Sequence, residues 1–195
     1  MEDIMKIGID IDNVITNTNE YMIEKAKKYN IENNIDTKMK EDAISIKEMF
    51  SWTDEINKDF ENKYLRQMNK EVSCKKNVQE ILFKLKEDGN QIILITRRGK
   101  EHYPDCREIT LEWLKENKIL YDKFISDICE KGKKCVEENI DIFIDDEPLH
   151  CNQVRNEGIE VLMFTSIFNK KINKYDRINN WNELYNKIKS YTVQF

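Results

Sequence analysis

The apolar positions along the chain follow two rhythms. Met5 to Ile11, Gln91-Ile92-Ile93-Leu94-Ile95, Ile140-Asp141-Ile142-Phe143-Ile144 and Ile159 to Phe164 are short runs rich in isoleucine and closed by turn residues. Such runs predict buried strands, and Tyr121 to Ile125 predicts one more, with Ile125 facing inward. Between them the apolar residues recur at helical spacing, as in Val78, Ile81, Leu82 and Leu85, or Ile109, Leu111, Trp113 and Leu114. Further helices are predicted from Asn17 to about Tyr29, Lys133 to Asn139, Asn152 to Asn156 and Trp181 to about Tyr191. Asp88-Gly89-Asn90 and Gly158 stop two of these helices.

Strands that alternate with helices predict an α/β domain with a mostly parallel sheet, and all-apolar strands require cover on both faces. One stretch breaks the alternation. From Ile31 to Lys70 the chain is highly charged, with Ile44, Met49, Phe50, Trp52, Ile56, Phe60, Tyr64, Leu65 and Met68 at amphipathic spacing and Ser51 or Thr53 as an N-cap. No strand is needed there. The expected organisation is a core of residues 1–17 and 74–195, with residues 18–73 as a small helical cap inserted after the first strand.

At 195 residues the chain has room for one core with such an insertion, and not for two full domains. A net charge of -5 argues against a nucleic-acid polymer or an anionic membrane as partner. An anionic small ligand would therefore need a local cluster of positive groups. The five cysteines are odd in number and include no CxxC pair, which fits reduced thiols and a cytoplasmic setting. Glu2 and Asp3 open a short apolar run that resembles neither a signal peptide nor a membrane span.

Charge enters the picture at the strand ends. Asp10 and Asp12 follow the first strand, Thr96 the second, and Asp145 and Asp146 the fourth. In an open parallel sheet these ends share one edge, where ligand sites form. Carboxylates gathered there repel one another and call for a cation. An all-oxygen set suits Mg2+, whereas His102 and His150 sit in no zinc-like cluster. Magnesium would attract phosphate. Thr96 offers a hydroxyl and an N–H, and Lys131, Lys133 and Lys134 approach the fourth strand with positive charge. Each residue alone has a plainer reading: an aspartate as a cap, a lysine run as a solvated face, an aromatic at helical spacing as packing. Their shared edge points to chemistry.

Asp10-Ile11-Asp12-Asn13-Val14, Ile95-Thr96, a lysine before the fourth strand and Ile144-Asp145-Asp146 together resemble, in order and strand context, the haloacid dehalogenase-like (HAD) phosphatase superfamily. "DIDNVI", "ILITRR", "NIDIFIDDEPLHC" and "GIEVLMF" are similar to the 5′(3′)-deoxyribonucleotidase group and its bacterial nucleotidase relatives. The resemblance implies a Rossmann-like three-layer α/β/α core. It makes Asp10 a nucleophile that forms an aspartyl-phosphate and Asp12 a general acid and base whose carbonyl also meets the metal. Asp146 would ligate Mg2+ with Asp145 in support, Thr96 would hold phosphate, and Lys131 would serve as the phosphate lysine ahead of Lys134 and Lys133. Arg97 and Arg98 are candidates for phosphate or lid contacts, with plain surface charge as the alternative, and His102 is expected to be exposed. Trp52, Phe50, Tyr21 and Tyr64 are candidates to stack on a base. The activity implied is a magnesium-dependent phosphomonoesterase, first a 5′-nucleotidase on (deoxy)nucleoside monophosphates. A phosphatase of sugar phosphates or other small metabolites is the alternative, and a phospho-aspartate signalling module a more distant one. The partner is then a small phosphorylated metabolite, and a homodimer is compatible with the sequence.

Overall fold

The computed structural model describes residues 4–192, so Glu2, Asp3 and the outermost ends of the expected core lie outside the described residues. Six strands form one sheet: β1 (Lys6–Ile9), β2 (Gln91–Ile95), β3 (Lys123–Ile125), β4 (Ile142–Asp145), β5 (Glu160–Phe164) and β6 (Asp176–Ile178), in the order β3-β2-β1-β4-β5-β6. All five pairings are parallel. The chain winds outward from β1 to β3 and returns through β4 to β6. The direction of winding therefore reverses between β1 and β4, and that crevice is the natural ligand position of such a sheet.

Strand periodicity builds the layers. Ile7 and Ile9, Ile92 and Leu94, Ile142 and Ile144, and Leu162 and Phe164 face a cluster that includes α4 (Val78–Glu87), α5 (Cys106–Glu116) and α8 (Trp181–Thr192). The alternate residues Ile93, Ile95, Phe143, Val161 and Met163 face α6 (Lys131–Glu138) and α7 (Pro148–Asn156) with Cys135, Cys151 and Val154. Continuing that period, Asp10 keeps the parity of Gly8, and Asp145 keeps that of Phe143. Both carboxylates therefore project toward the α6–α7 layer.

Three helices lie between β1 and α4: α1 (Thr18–Glu32), the short α2 (Ile46–Met49) and α3 (Asp54–Glu71). Of the two N-cap candidates, Thr53 caps α3, accepting from Ile56 N at 3.3 Å, while Ser51 takes a positive φ of 53°. Phe50, Trp52, Phe60, Tyr64 and Tyr29 are buried against one another, and the Trp52 indole donates to Asn30 Oδ1 at 2.8 Å. Where this segment leaves and rejoins the sheet, the two crossings lie antiparallel. Asn17 N donates to Ser73 O at 2.9 Å and Lys75 N to Ile15 O at 2.7 Å. Two tryptophans tie the chain together nearby: Trp113 Nε1 donates to Val72 O at 2.8 Å, and Trp181 Nε1 to Val14 O at 2.9 Å. Among the described residues no helix is long and apolar enough to cross a membrane.

The apolar pattern does not predict the edge strand β6, because Asp176-Arg177-Ile178 carries a single buried apolar residue. Helix α7 starts at Pro148, four residues before the expected Asn152, since proline at the first helical turn fits there without a lost hydrogen bond. Helix α6 starts at Lys131 rather than Lys133.

Candidate active site

The turn after β1 reverses within five residues. Ile15 N and Thr16 N both donate to Ile11 O, at 2.9 and 3.1 Å, and Asn13 adopts φ 57° with its side-chain oxygen accepting from Asn19 N at 2.8 Å. Asparagine tolerates the left-handed region better than most residues. The turn separates the two acids. Asp10 stays in line with the strand, and Asp12 swings toward the start of α1.

Asp10 faces Lys131, whose Nζ lies 2.6 Å from Asp10 Oδ1 and 2.7 Å from Asp145 Oδ2. The ammonium is 1% exposed and comes from the first residue of α6. Gly132 permits this approach: a Cβ there would lie 2.5 Å from Gln153 O, so α6 and α7 can close only over a glycine. Gln153 in turn accepts from Lys131 N at 3.0 Å and donates to Cys129 O at 3.1 Å. Asp145 Oδ1 accepts from Glu147 N at 2.8 Å, and His150 Nδ1 lies 3.4 Å from its other oxygen. Asn169 steadies the neighbouring backbone, donating to Asp146 O at 2.7 Å and Phe164 O at 2.8 Å.

These surroundings act differently on each carboxyl. Burial drives Asp10 up to about 6, against the pull of Lys131 and with the repulsion of Asp145 and Asp12 added. Burial also works to raise Asp145, but Lys131 and His150 outweigh it and hold the group at about 2. Asp146 is pushed well above the ordinary carboxylate range by burial and by the charges of Asp145 and Asp10. Burial opposes ionisation of Asp12 too, yet Arg98 and the Thr18 hydroxyl keep it below the ordinary range. Lys131 is raised despite its burial by the same two aspartates.

Asp10, Asp145 and Asp146 each bring an oxygen within 4.8 Å of the others. When all three carboxyls are ionised, the one ammonium of Lys131 leaves two negative charges at this spot, and among the described residues no lysine or arginine pairs with Asp146. An all-oxygen set with that surplus fits a hard divalent cation such as Mg2+.

Thr96 is buried at the end of β2, and its hydroxyl accepts from Arg98 N at 3.3 Å. Arg98, not Arg97, turns inward: its Nε and Nη2 donate to Asp12 at 2.9 and 2.7 Å, while Arg97 is exposed and pairs with Glu101 at 2.8 Å. Lys134 pairs with Glu137 and the exposed Lys133 with Glu130, so neither reaches the acids. His102 is exposed, as expected. The stacking candidates are placed elsewhere: Phe50, Trp52 and Tyr64 are consumed by packing, and the Tyr21 hydroxyl donates to Glu71 at 2.9 Å. A cleft of about 700 Å3 opens beside Asp146 instead, lined by Asn13, Asn19, Lys47, Asn57, Ser166 and Phe168 among others.

With this geometry in place, the comparisons with known proteins become specific. The model of the family described as "5′ nucleotidase, deoxy (Pyrimidine), cytosolic type C protein" matches residues 3–193. The chain belongs to this HAD-like nucleotidase family. A nucleotidase of Clostridium acetobutylicum is 28% identical over 184 residues, covering 93% of this chain and 92% of that protein. A haloacid dehalogenase-like hydrolase from Streptococcus pneumoniae superposes with a TM-score of 0.65 at 12% identity, over 98% of this chain and 99% of the other. A C. acetobutylicum protein described as a predicted phosphatase reaches 0.67 at 14% identity, over 96% and 100%. At such identities the superpositions establish the fold, an HAD-like α/β core. Family membership makes the chain an enzyme of the nucleotidase class, a phosphatase, and sets the signalling-module alternative aside.

Proposed function

We propose that the protein is a magnesium-dependent 5′-nucleotidase that hydrolyses (deoxy)nucleoside monophosphates through an aspartyl-phosphate on Asp10. The observation that carries this reading is the placement of Asp10. It is buried at the reversal point of the sheet, 2.6 Å from Lys131, with two further carboxylates at hand and Asp12 on the adjoining turn.

Asp10 attacks the phosphorus, and the bond to the nucleoside oxygen breaks as Asp12 supplies that oxygen with a proton. Lys131 and the Thr96 hydroxyl hold the phosphoryl oxygens, where stabilisation of charge is the main source of rate in phosphoryl transfer; the Thr96 N–H is spent on Ile125 O at 3.0 Å. Asp10, Asp145, Asp146 and the Asp12 carbonyl would hold Mg2+. Bound there, the ion would neutralise charge on the transferring group. Arg97 and Lys134 are left out of the substrate site because their side chains are engaged with Glu101 and Glu137.

Residues 18–73 act as a cap over the site, with 1–17 and 74–195 as the core. The two antiparallel crossings at Asn17 and Lys75 form its stem. The cleft beside Asp146, which borders α2 and α3, receives the nucleoside. Its lining carries only one aromatic residue, Phe168, and is rich in amides. That composition favours a polar metabolite such as a sugar phosphate as the second reading.

Initial rates on a panel of nucleoside monophosphates and sugar phosphates with Mg2+ distinguish the two. A preference for nucleotides upholds the first reading, and a preference for sugar phosphates replaces it. Asp10→Asn is expected to remove turnover by about a thousandfold or more while leaving a folded protein. A folded variant with normal rates defeats the assignment.

A further inference from the structure

Arg98 is 3% exposed, an unusual depth for an arginine outside the acidic cluster that holds Lys131. Its loop is fixed at both ends of the residue: Arg98 N donates to Thr96 Oγ1 at 3.3 Å, and Arg98 O accepts from Asp127 N at 3.0 Å. From there the guanidinium meets Asp12 with two donors, Nε to Oδ2 at 2.9 Å and Nη2 to Oδ1 at 2.7 Å. A third donor comes from the other side, since the Thr18 hydroxyl gives its proton to Asp12 Oδ1 at 2.6 Å. Thr18 is itself 2.7 Å from the Thr16 hydroxyl, which also reaches Ile11 O at 3.1 Å.

Among the described residues every bond to the Asp12 side chain therefore uses it as an acceptor, and both oxygens are engaged. That is the hydrogen-bonding role of an ionised carboxylate. A forked guanidinium fixes the plane of the carboxylate as well as its distance, which a lysine cannot do. A carboxylate held in this manner is ready to take a proton.

We infer that Arg98 is a positioning residue that holds Asp12 as an oriented carboxylate for the second half of the reaction, in which water attacks phosphorylated Asp10. The inference rests on the aspartyl-phosphate reading above. In that step one O–H bond of water breaks and its proton passes to Asp12, while the water oxygen forms a new bond to phosphorus. The bond between phosphorus and Asp10 breaks, and its electron pair restores the Asp10 carboxylate. Inorganic phosphate leaves.

A residue that serves this half leaves a distinct kinetic signature when the leaving group of the first half needs no proton. In a two-step scheme kcat/KM reports the steps up to departure of the nucleoside, and kcat reports the slower step. With p-nitrophenyl phosphate, whose leaving group departs without a proton from Asp12, Arg98→Lys and Arg98→Met are expected to lower kcat by about ten- to a hundredfold and KM in proportion, leaving kcat/KM unchanged. Their kcat values for p-nitrophenyl phosphate and a nucleoside monophosphate converge, because both substrates pass through the same intermediate. Acid-quenched protein examined by mass spectrometry carries more phosphate on Asp10 than wild type does. Thr18→Val shifts the same quantities in the same direction by a smaller factor, and it keeps the test open should the Arg98 variants fold poorly.

Two results overturn the inference. A raised KM with a lower kcat/KM makes Arg98 a phosphate ligand, acting through its Nη1, which has no protein partner. A lower kcat at constant KM with no added phosphoprotein makes its role structural. Asp12→Asn with p-nitrophenyl phosphate is the control. A trapped adduct in that variant upholds the two-step reading whatever the Arg98 variants do, and its absence there removes the reading and the inference together.

Discussion

The carboxyl edge of the sheet and the helical segment of residues 18–73 bury opposite kinds of residue. At the edge Asp10, Asp145, Lys131 and Arg98 are almost sealed from solvent, each facing an opposite charge at 2.6 to 2.9 Å. In the helical segment the sealed residues are mostly apolar and centre on aromatic rings, with ring centres of Trp52 and Phe60 4.9 Å apart and those of Phe50 and Trp52 5.3 Å apart. Buried charge is costly and survives only where each group has its partner, whereas apolar contact tolerates adjustment. Substitutions at the edge should therefore act through charge balance and chemistry, and those in the helical segment through packing.

The largest effect expected from this contrast belongs to Lys131→Met. Loss of the ammonium leaves Asp10 and Asp145 uncompensated, which should lower stability by about 3–5 kcal/mol without metal and turnover by at least about a hundredfold with it. Chemical denaturation and steady-state rates check both, and a variant as stable as wild type would show that the edge is less tightly balanced than its distances imply.

The truncation Phe60→Ala should cost about 3–5 kcal/mol by opening the aromatic cluster. Where the protein remains folded, its activity on p-nitrophenyl phosphate should fall far less than that of Lys131→Met. Equal losses of activity in the two variants would erase the distinction between the regions.

The third expectation concerns pH. Asp10 titrates near 6 in the folded chain against an ordinary 3.8, and Asp146 lies well above that value. Both bind a proton more tightly when folded, so the stability they add at low pH is lost as pH rises from about 4 through their folded values. Asp145, held at about 2, works the opposite way and withdraws stability as pH falls from about 4 toward 2. Metal-free melting temperatures should thus decline between about pH 4 and 6 relative to an Asp10→Asn/Asp146→Asn control. Saturating Mg2+ should flatten that decline. The smallest effect belongs to Arg97→Ala and Lys134→Ala, whose exposed or partly exposed pairs predict almost no change in melting temperature and near-normal KM. A large rise in KM for either would return it to the substrate site.

Much of this architecture was legible where one force dominates. Gln91–Ile95 is a strand in the positions that its unbroken apolar run predicts, and Asp10 and Asp145 share an edge because strand ends must. The ambiguous cases were those decided by the local course of the backbone. Arg97 and Arg98 are adjacent and chemically alike, and the turn after Thr96 alone selects which one faces Asp12. Lys131 and Lys134 differ by about one helical turn, and the early start of α6 over Gly132 is what brings Lys131 to the sheet. The Gly beside that lysine was the available clue. Trp52 and Phe50 sit at helical spacing, where packing is the commoner role and stacking on a base the rarer one, and the position of Tyr29 and Phe60 around them decides for packing.

The bond from Trp181 Nε1 to Val14 O spans 167 residues and fastens the turn that carries Asp12. It ties the timing of assembly to the last helix. During synthesis from the N-terminal side the acidic turn emerges early, yet this backbone carbonyl receives its partner only once α8 has been made and has docked. The turn beneath Asp12 therefore gains this anchor late, after the strands and helices between Val14 and Trp181 have been made.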